Sequence, residues 1–369
     1  MPWTIETVDS HGSEARGSQC RIALEHLYGR PAVIYVCDPG GGSERLKGAV
    51  YNGSSWDLGD IWTGDCEPAN GLCYSLGDQL FHALWMDKAT PPNIRHAQYS
   101  GGSWSAEVVE ATAAGTPGTR GADIDSIGAQ LRSVYAGPPD PIFNELTELI
   151  YNGGWQPGAN RNIDAGVLIR TRIDASTGLT HACHDGASVW DIRHSWDDGA
   201  AWQDELAVED EYGADGWNWC IDSASGLHLA WCKIVTGGLR YGHKADGGAW
   251  VLEDVPGTAG WIADHSHGVG IGVDTVGNVY VAVAVVADSI RFARKSGGVW
   301  TLEQVEAVVA GVCDLAVTAA GTAHIVYQDL TATPDRLRHA YRYYGANIPA
   351  RFQASPLGYA TSHMGPLGF

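Results

Sequence analysis

The stretch Gly277-Asn-Val-Tyr-Val-Ala-Val-Ala-Val-Val286, followed by Ile290-Arg-Phe-Ala-Arg-Lys-Ser-Gly-Gly298 and Val299-Trp-Thr-Leu-Glu-Gln-Val305, decides the fold. Residues 278–286 are rich in β-branched side chains, which suit a buried, pleated strand. Residues 290–295 form a second run, and Ser296-Gly-Gly298 ends it. Paired glycines between two such runs signal a hairpin, because glycine supplies the positive φ that tight turns require. Residues 299–305 are the strand after that turn. Upstream, residues 270–274 read as another strand, closed by Thr275-Val-Gly-Asn278. The unit is four short antiparallel strands.

Working outward, the same grammar recurs. Tryptophans stand at positions 3, 56, 104, 155, 202, 250 and 300, with gaps of 53, 48, 51, 47, 48 and 50 residues. The third strand opens on Ile94-Arg95-His96, Ile192-Arg193-His194, Leu239-Arg240-Tyr241, Ile290-Arg291-Phe292 and Leu337-Arg338-His339, with Leu46-Lys47 a weaker copy. Glutamate follows the tryptophan by three positions at Glu6, Glu107, Glu205, Glu253 and Glu303. Four strands in such a period predict a blade of a β-propeller. No segment carries an amphipathic helical pattern. The fold class is therefore all-β, a seven-bladed propeller spanning residues 1–345, followed by an extended tail at 346–369.

The ring is expected to close on itself. After Trp300 the chain supplies three more strands and reaches Tyr344-Gly345, where a tryptophan strand is due. That strand stands at the other end, Trp3-Thr-Ile-Glu-Thr-Val8. Completing the last blade with it leaves no free sheet edge.

Composition narrows the function. Glycine supplies 48 of 369 residues, almost twice the usual share of about 7%, as many hairpins demand. The net charge of −20 disfavours nucleic acid, which needs a basic face to neutralise phosphate. It disfavours an anionic membrane surface for the same reason. No apolar run is long enough for a spanning helix, so no membrane insertion is expected. The opening Met1-Pro-Trp-Thr-Ile-Glu6 lacks the basic and apolar regions of a secretory leader. Seven of the eight cysteines fall in or near first and second strands of different blades; there is no Cys-x-x-Cys spacing, and the set reads as reduced core thiols.

Ser195-Trp-Asp197-Asp-Gly199-Ala-Ala-Trp202 resembles the Asp-box of sialidase-like propellers, with Ala201 where threonine is usual. Remnants stand at residues 100–104 and 296–300. In the families it resembles, the Asp-box is a turn away from the catalytic face. Its aspartate accepts backbone N–H bonds while its tryptophan packs between blades. Sialidases also carry an Arg-Ile-Pro element and an arginine triad. Cys20-Arg21-Ile22-Ala23 lacks the proline, and most arginines here occupy the repeated third-strand position. Asp38, Asp87, Asp185 and Asp329 end second strands shortly before Lys47, Arg95, Arg193 and Arg338, so cross-strand ion pairs account for those cations.

Asp264-His265-Ser-His267 has a metal-binding look, but without a distant third ligand it reads as a polar loop. His82, His228 and His324 align with one another and read as structural. No metal or cofactor is expected. The links from fourth to first strand (9–18, 62–69, 111–121, 209–216, 255–268) and from second to third strand (39–44, 88–93, 137–145) are long, unlike one another, and share one face. Long loops on a rigid scaffold are where binding usually lives. Trp62, Tyr212, Trp217 and Trp261 stand there outside the repeat register. With His265 they are the candidate ligand contacts, as sugar-stacking rings or protein anchors. Plugging of the propeller channel is the alternative role.

The tail repeats itself: Pro356-Leu357-Gly-Tyr359 returns as Pro366-Leu367-Gly-Phe369. These are expected assembly hooks, docking on a neighbouring subunit or on the propeller's own flank. Three functions are compatible with all this. The first is a virion protein, on a bacteriophage tail or head surface, assembled in the host cytoplasm with other virion subunits or its own oligomer and binding a host receptor or surface glycan. The second is a stand-alone lectin, cytoplasmic or released without a leader. The third is a sialidase-like glycoside hydrolase, which needs two carboxylates at a set separation. No pair is singled out, no catalytic residue is assigned, and a non-enzymatic role is preferred.

Overall fold

The computed structural model describes residues 2–10, 20–37, 44–66, 71–89, 92–111, 122–137, 144–165, 168–185, 191–209, 214–233, 236–263, 268–286, 288–332 and 335–344. They form seven four-stranded antiparallel sheets, six of them simple meanders of consecutive strands, and no helix occurs among them. Blade 1 covers residues 20–62, blade 2 71–111, blade 3 122–165, blade 4 169–208, blade 5 214–254, blade 6 269–306 and blade 7 310–343. Adjacent inner strands touch all the way round, including that of blade 1 with that of blade 7. The ring is a seven-bladed β-propeller.

The closure expected from the sequence is present. Thr4–Ser10 pairs antiparallel with Arg336–Tyr343, with Ile5 opposite Ala340 and Glu6 opposite His339, and becomes the outer strand of blade 7. Trp3 packs edge-on against Phe292 of blade 6, with ring centroids 4.9 Å apart.

Second strands such as Pro31–Cys37 and Val279–Val285 are buried along their whole length, because neighbouring blades cover both faces. This explains their continuous apolar runs. Inner strands converge so closely that side chains must be surrendered: a Cβ on Gly270 would sit 2.5 Å from the Leu315 nitrogen of the next blade. All eight cysteines are free thiols, seven of them buried.

The aligned histidines belong to polar rows that cross each blade toward its neighbour. In blade 2 His82 Nδ1 and His96 Nε2 are 3.0 Å apart, and His96 Nδ1 is 3.0 Å from Glu107. Blade 4 repeats this with His181, His194 and Glu205, and blade 7 with His324, His339 and Glu6. The glutamates then accept the indole N–H of the next blade: Trp56 to Glu6 (3.1 Å), Trp250 to Glu205 (3.1 Å) and Trp300 to Glu253 (2.8 Å). Burial pushes His96 and His181 down to about 4, so both are neutral near pH 7. Thus Glu6, Glu205 and Glu253, each three residues after a tryptophan, tie their blades to the next.

The expected aspartate–cation pairs are partly present. Arg95 Nε donates to Asp87 at 2.6 Å and Arg338 reaches Asp329 at 3.6 Å. Arg193 instead pairs with Asp204 on the outer strand. Asp185 is taken by the Trp217 indole and the Leu168 amide. Asp38 lies outside the described residues.

Candidate functional site

Blade 1 departs from the rows. Register places Ala32 and Gly48 where blade 2 has His82 and His96, and Gly59 lies opposite Gly48 as Glu107 lies opposite His96. Trp104 of blade 2 moves into the space: a Cβ on Gly48 would sit 2.3 Å from its Nε1. Beside it Ala23, Ala32, Val50 and Phe81 make a thin apolar floor, against which Tyr74, Tyr99 and Trp104 pack.

Over this floor a cleft of about 270 Å³ opens between blades 1 and 2. Its wall carries the rings Tyr51, Tyr74, Phe81 and Tyr99, and its rim carries Glu25, Arg30, Asn52, Asp57 and Gln79. Each rim group is held by its turn. Glu25 and Arg30 close the turn between the first two strands of blade 1: the Glu25 amide donates to the Arg30 carbonyl at 2.8 Å, and the side chains approach to 3.5 Å. Asn52 caps the turn between the last two strands through Ser54 and Ser55 amides, and its Nδ2 donates to Asp57 at 3.0 Å. Gln79 adopts φ of 61°, a left-handed conformation that costs a non-glycine residue about 1–2 kcal/mol and that gathers at ligand sites. Burial, then Glu25, raises the Tyr74 hydroxyl, and burial, then Asp57, raises that of Tyr99. Both phenols are therefore neutral donors. Donors and acceptors in pairs around aromatic faces suit a small polyhydroxylated ligand, whose hydroxyls each give and take a bond while its C–H face lies on a ring.

The residues expected to bind ligand are not gathered here. Trp217 is 1% exposed. It lies on the inner strand Ala214–Ile221 among Trp219, Trp231 and Leu229, with its Nε1 donating to Asp185 at 2.7 Å. It has no free face for a ligand, which corrects its reading as a loop ring. Trp62 ends an outer strand half-buried, with the Arg95 guanidinium 3.8 Å over its ring. Trp261 is half-buried against the core between blades 5 and 6. Tyr212, His265 and the tail residues Pro356, Leu357, Tyr359, Pro366, Leu367 and Phe369 lie outside the described residues. The sequence contains all the cleft residues, but they come from turns and strand ends of two blades, and only their shared face of the ring could have grouped them.

The Asp-box turn has the expected role. Asp197 accepts the Gly199 amide at 2.9 Å, and Trp202 packs on Val134 and Leu146 of blade 3. Nearby, Ser195, His184 and Asp204 bring the residue types of a hydrolytic triad together in the wrong order. Ser195 is fully buried and donates to Asp204 at 2.8 Å, while His184 Nδ1 faces the Asp185 carbonyl. A triad needs an accessible serine and an aspartate that orients the histidine.

No protein-family model and no curated protein matches this sequence. Solved structures do match its fold. AofleA from Arthrobotrys oligospora aligns with a TM-score of 0.58 and 14% identity over 83% of this chain and 90% of its own. A lectin of Aleuria aurantia, a six-bladed β-propeller with a fucose recognition mode of its own, aligns with a TM-score of 0.57 and 14% identity over 82% and 99%. SapL1, a lectin solved with α-methyl fucoside, aligns with a TM-score of 0.54 and 16% identity over 79% and 96%. The chain is similar to lectin propellers rather than specifically to the sialidase-like ones its Asp-box resembles. At these identities the likeness shows the fold.

Proposed function

We propose that this protein is a glycan-binding propeller whose ligand is a neutral monosaccharide or terminal sugar, held in the cleft between blades 1 and 2. The observation that carries this reading is the cleft itself: four aromatic side chains under a rim of Arg30, Glu25, Asn52, Asp57 and Gln79. The lectins of similar fold support it and make fucosides the first probes. The virion role expected from the sequence finds no support among these neighbours, and its tail hooks lie outside the described residues.

Calorimetry with methyl α-L-fucoside and a panel of other monosaccharides tests the proposal. Saturable binding is expected, weakened at least tenfold by Arg30→Ala and by Tyr99→Ala. Absence of binding to every sugar, or equal binding by both variants, overturns the cleft assignment. Release of reducing sugar would favour the hydrolase reading instead.

A further inference from the structure

We propose that blade 5 carries a transition-metal site of the zinc class formed by Asp222, His228 and His243. One ligand atom from each lies within 4.8 Å of the others, the sole such group among the described residues. The site is built by register. His228 stands directly opposite His243 on the next strand, so the two rings share one face, with centroids 4.8 Å apart. Asp222 follows the inner strand and turns back so that its Oδ2 lies 3.0 Å from His228 Nε2. At the position opposite the row residue, other blades carry Gln98, Trp196, Arg294 and Tyr341. Blade 5 alone among these has a second imidazole there.

The surroundings hold these groups as ligands need to be held. Asp222 Oδ1 accepts the Ala224 and Gly226 amides, both at 2.8 Å, which fixes the carboxylate and leaves Oδ2 to bind. His228 is 5% exposed, and its Nδ1 meets the Tyr241 hydroxyl at 2.6 Å. A hydroxyl serves either tautomer: it donates when Nε2 carries the proton toward Asp222, and accepts when a metal takes Nε2 and the proton moves to Nδ1. Orientation of a ligating histidine through its other nitrogen is the usual support of a metal site. Asp222 and His243 are partly exposed, which gives an ion its entry. Lys295, over the Tyr241 ring, is paired with Glu253 at 2.6 Å. Two histidines and one carboxylate bind zinc tetrahedrally with a fourth position open to water, at metal–ligand distances of about 2.0–2.2 Å.

The test is calorimetric titration of the chelator-treated full chain with zinc chloride, with calcium chloride as the hard-cation control. One zinc per chain is expected, with a raised melting temperature and no calcium binding. His243→Gln should weaken zinc at least roughly 100-fold and Tyr241→Phe about tenfold, both without zinc-free loss of fold by circular dichroism. Should His243→Gln unfold, Asp222→Asn keeps the amide-accepting oxygen and must also lose zinc. Failure to bind one zinc, or zinc binding left intact in the folded variant, overturns the site.

Discussion

Blades 1 and 4 solve one problem in opposite ways. Blade 4 fills the seam to its neighbour with His181, His194 and Glu205, and Glu205 gathers Lys244 and Trp250 from blade 5. Blade 1 places Ala32, Gly48 and Gly59 at the same positions, accepts Trp104 from blade 2, and leaves a cleft above it. One seam is wired shut by hydrogen bonds and the other is thin and open. Function on a repeat scaffold arises where the repeat is broken, because a filled seam has nothing left to offer a ligand.

The comparison is most severely tested by deleting residues 2–10. This removes the outer strand of blade 7 and with it Glu6, the acceptor of His339 and of Trp56 in blade 1. Cooperative melting should be lost, an effect on the scale of the whole folding stability, about 5–15 kcal/mol. A parent-like transition would mean that closure is dispensable. Next in size is Glu205→Ala, which leaves three donors without their acceptor at a seam of blade 4. It should cost about 2–4 kcal/mol in denaturant unfolding. Gly48→Ala follows, at about 1–3 kcal/mol, because the new methyl meets an indole that must shift. If Gly48→Ala proves harmless while Glu205→Ala is costly, Trp104 is looser than the seam geometry implies. Smallest is Arg30→Ala, below about 1 kcal/mol for a partly exposed pair, although sugar binding should fall.

Acid should separate the two seams further. Burial depresses His181 to about 4, so its contribution is full above the ordinary histidine value near 6.5 and is lost as pH falls toward 4. Glu205 is opposed by burial but held at about 2 by His194 and Lys244, so its contribution is lost between about 4.5 and 2. Melting temperatures from pH 7 down to 3 should fall more steeply in the parent than in His181→Gln. Parallel profiles would remove the row from the account of acid stability.

Much of the fold was legible because one tryptophan per blade marks the period and a missing last strand marks the closure. The cleft was not, since Arg30 and Gln79 come from different turns and Tyr99 from the strand Asn93–Ser100, and they share only a three-dimensional neighbourhood. Trp217 misled for a related reason. A tryptophan outside the period reads as a loop ring, yet the inner strand Ala214–Ile221 is longer than most of its counterparts and carries it inside. Likewise, the alignment of His228 with His82 and His324 correctly implied a structural row. It concealed the fact that only His228 faces a histidine directly across the hairpin, because pairing of adjacent strands is invisible in a linear alignment.

The lock between Glu6 and His339 joins residues 333 positions apart. At a ribosome adding about 5–20 residues per second, the N-terminal strand exists for roughly 20–70 s before its partner is made. Throughout that time it is an unpaired strand beside a growing arc of blades, with a sticky sheet edge at each open end. Completion of the ring is thus an event of translation as much as of thermodynamics. Yield in a cell should respond to elongation rate and chaperone supply even in variants whose purified stability is unchanged.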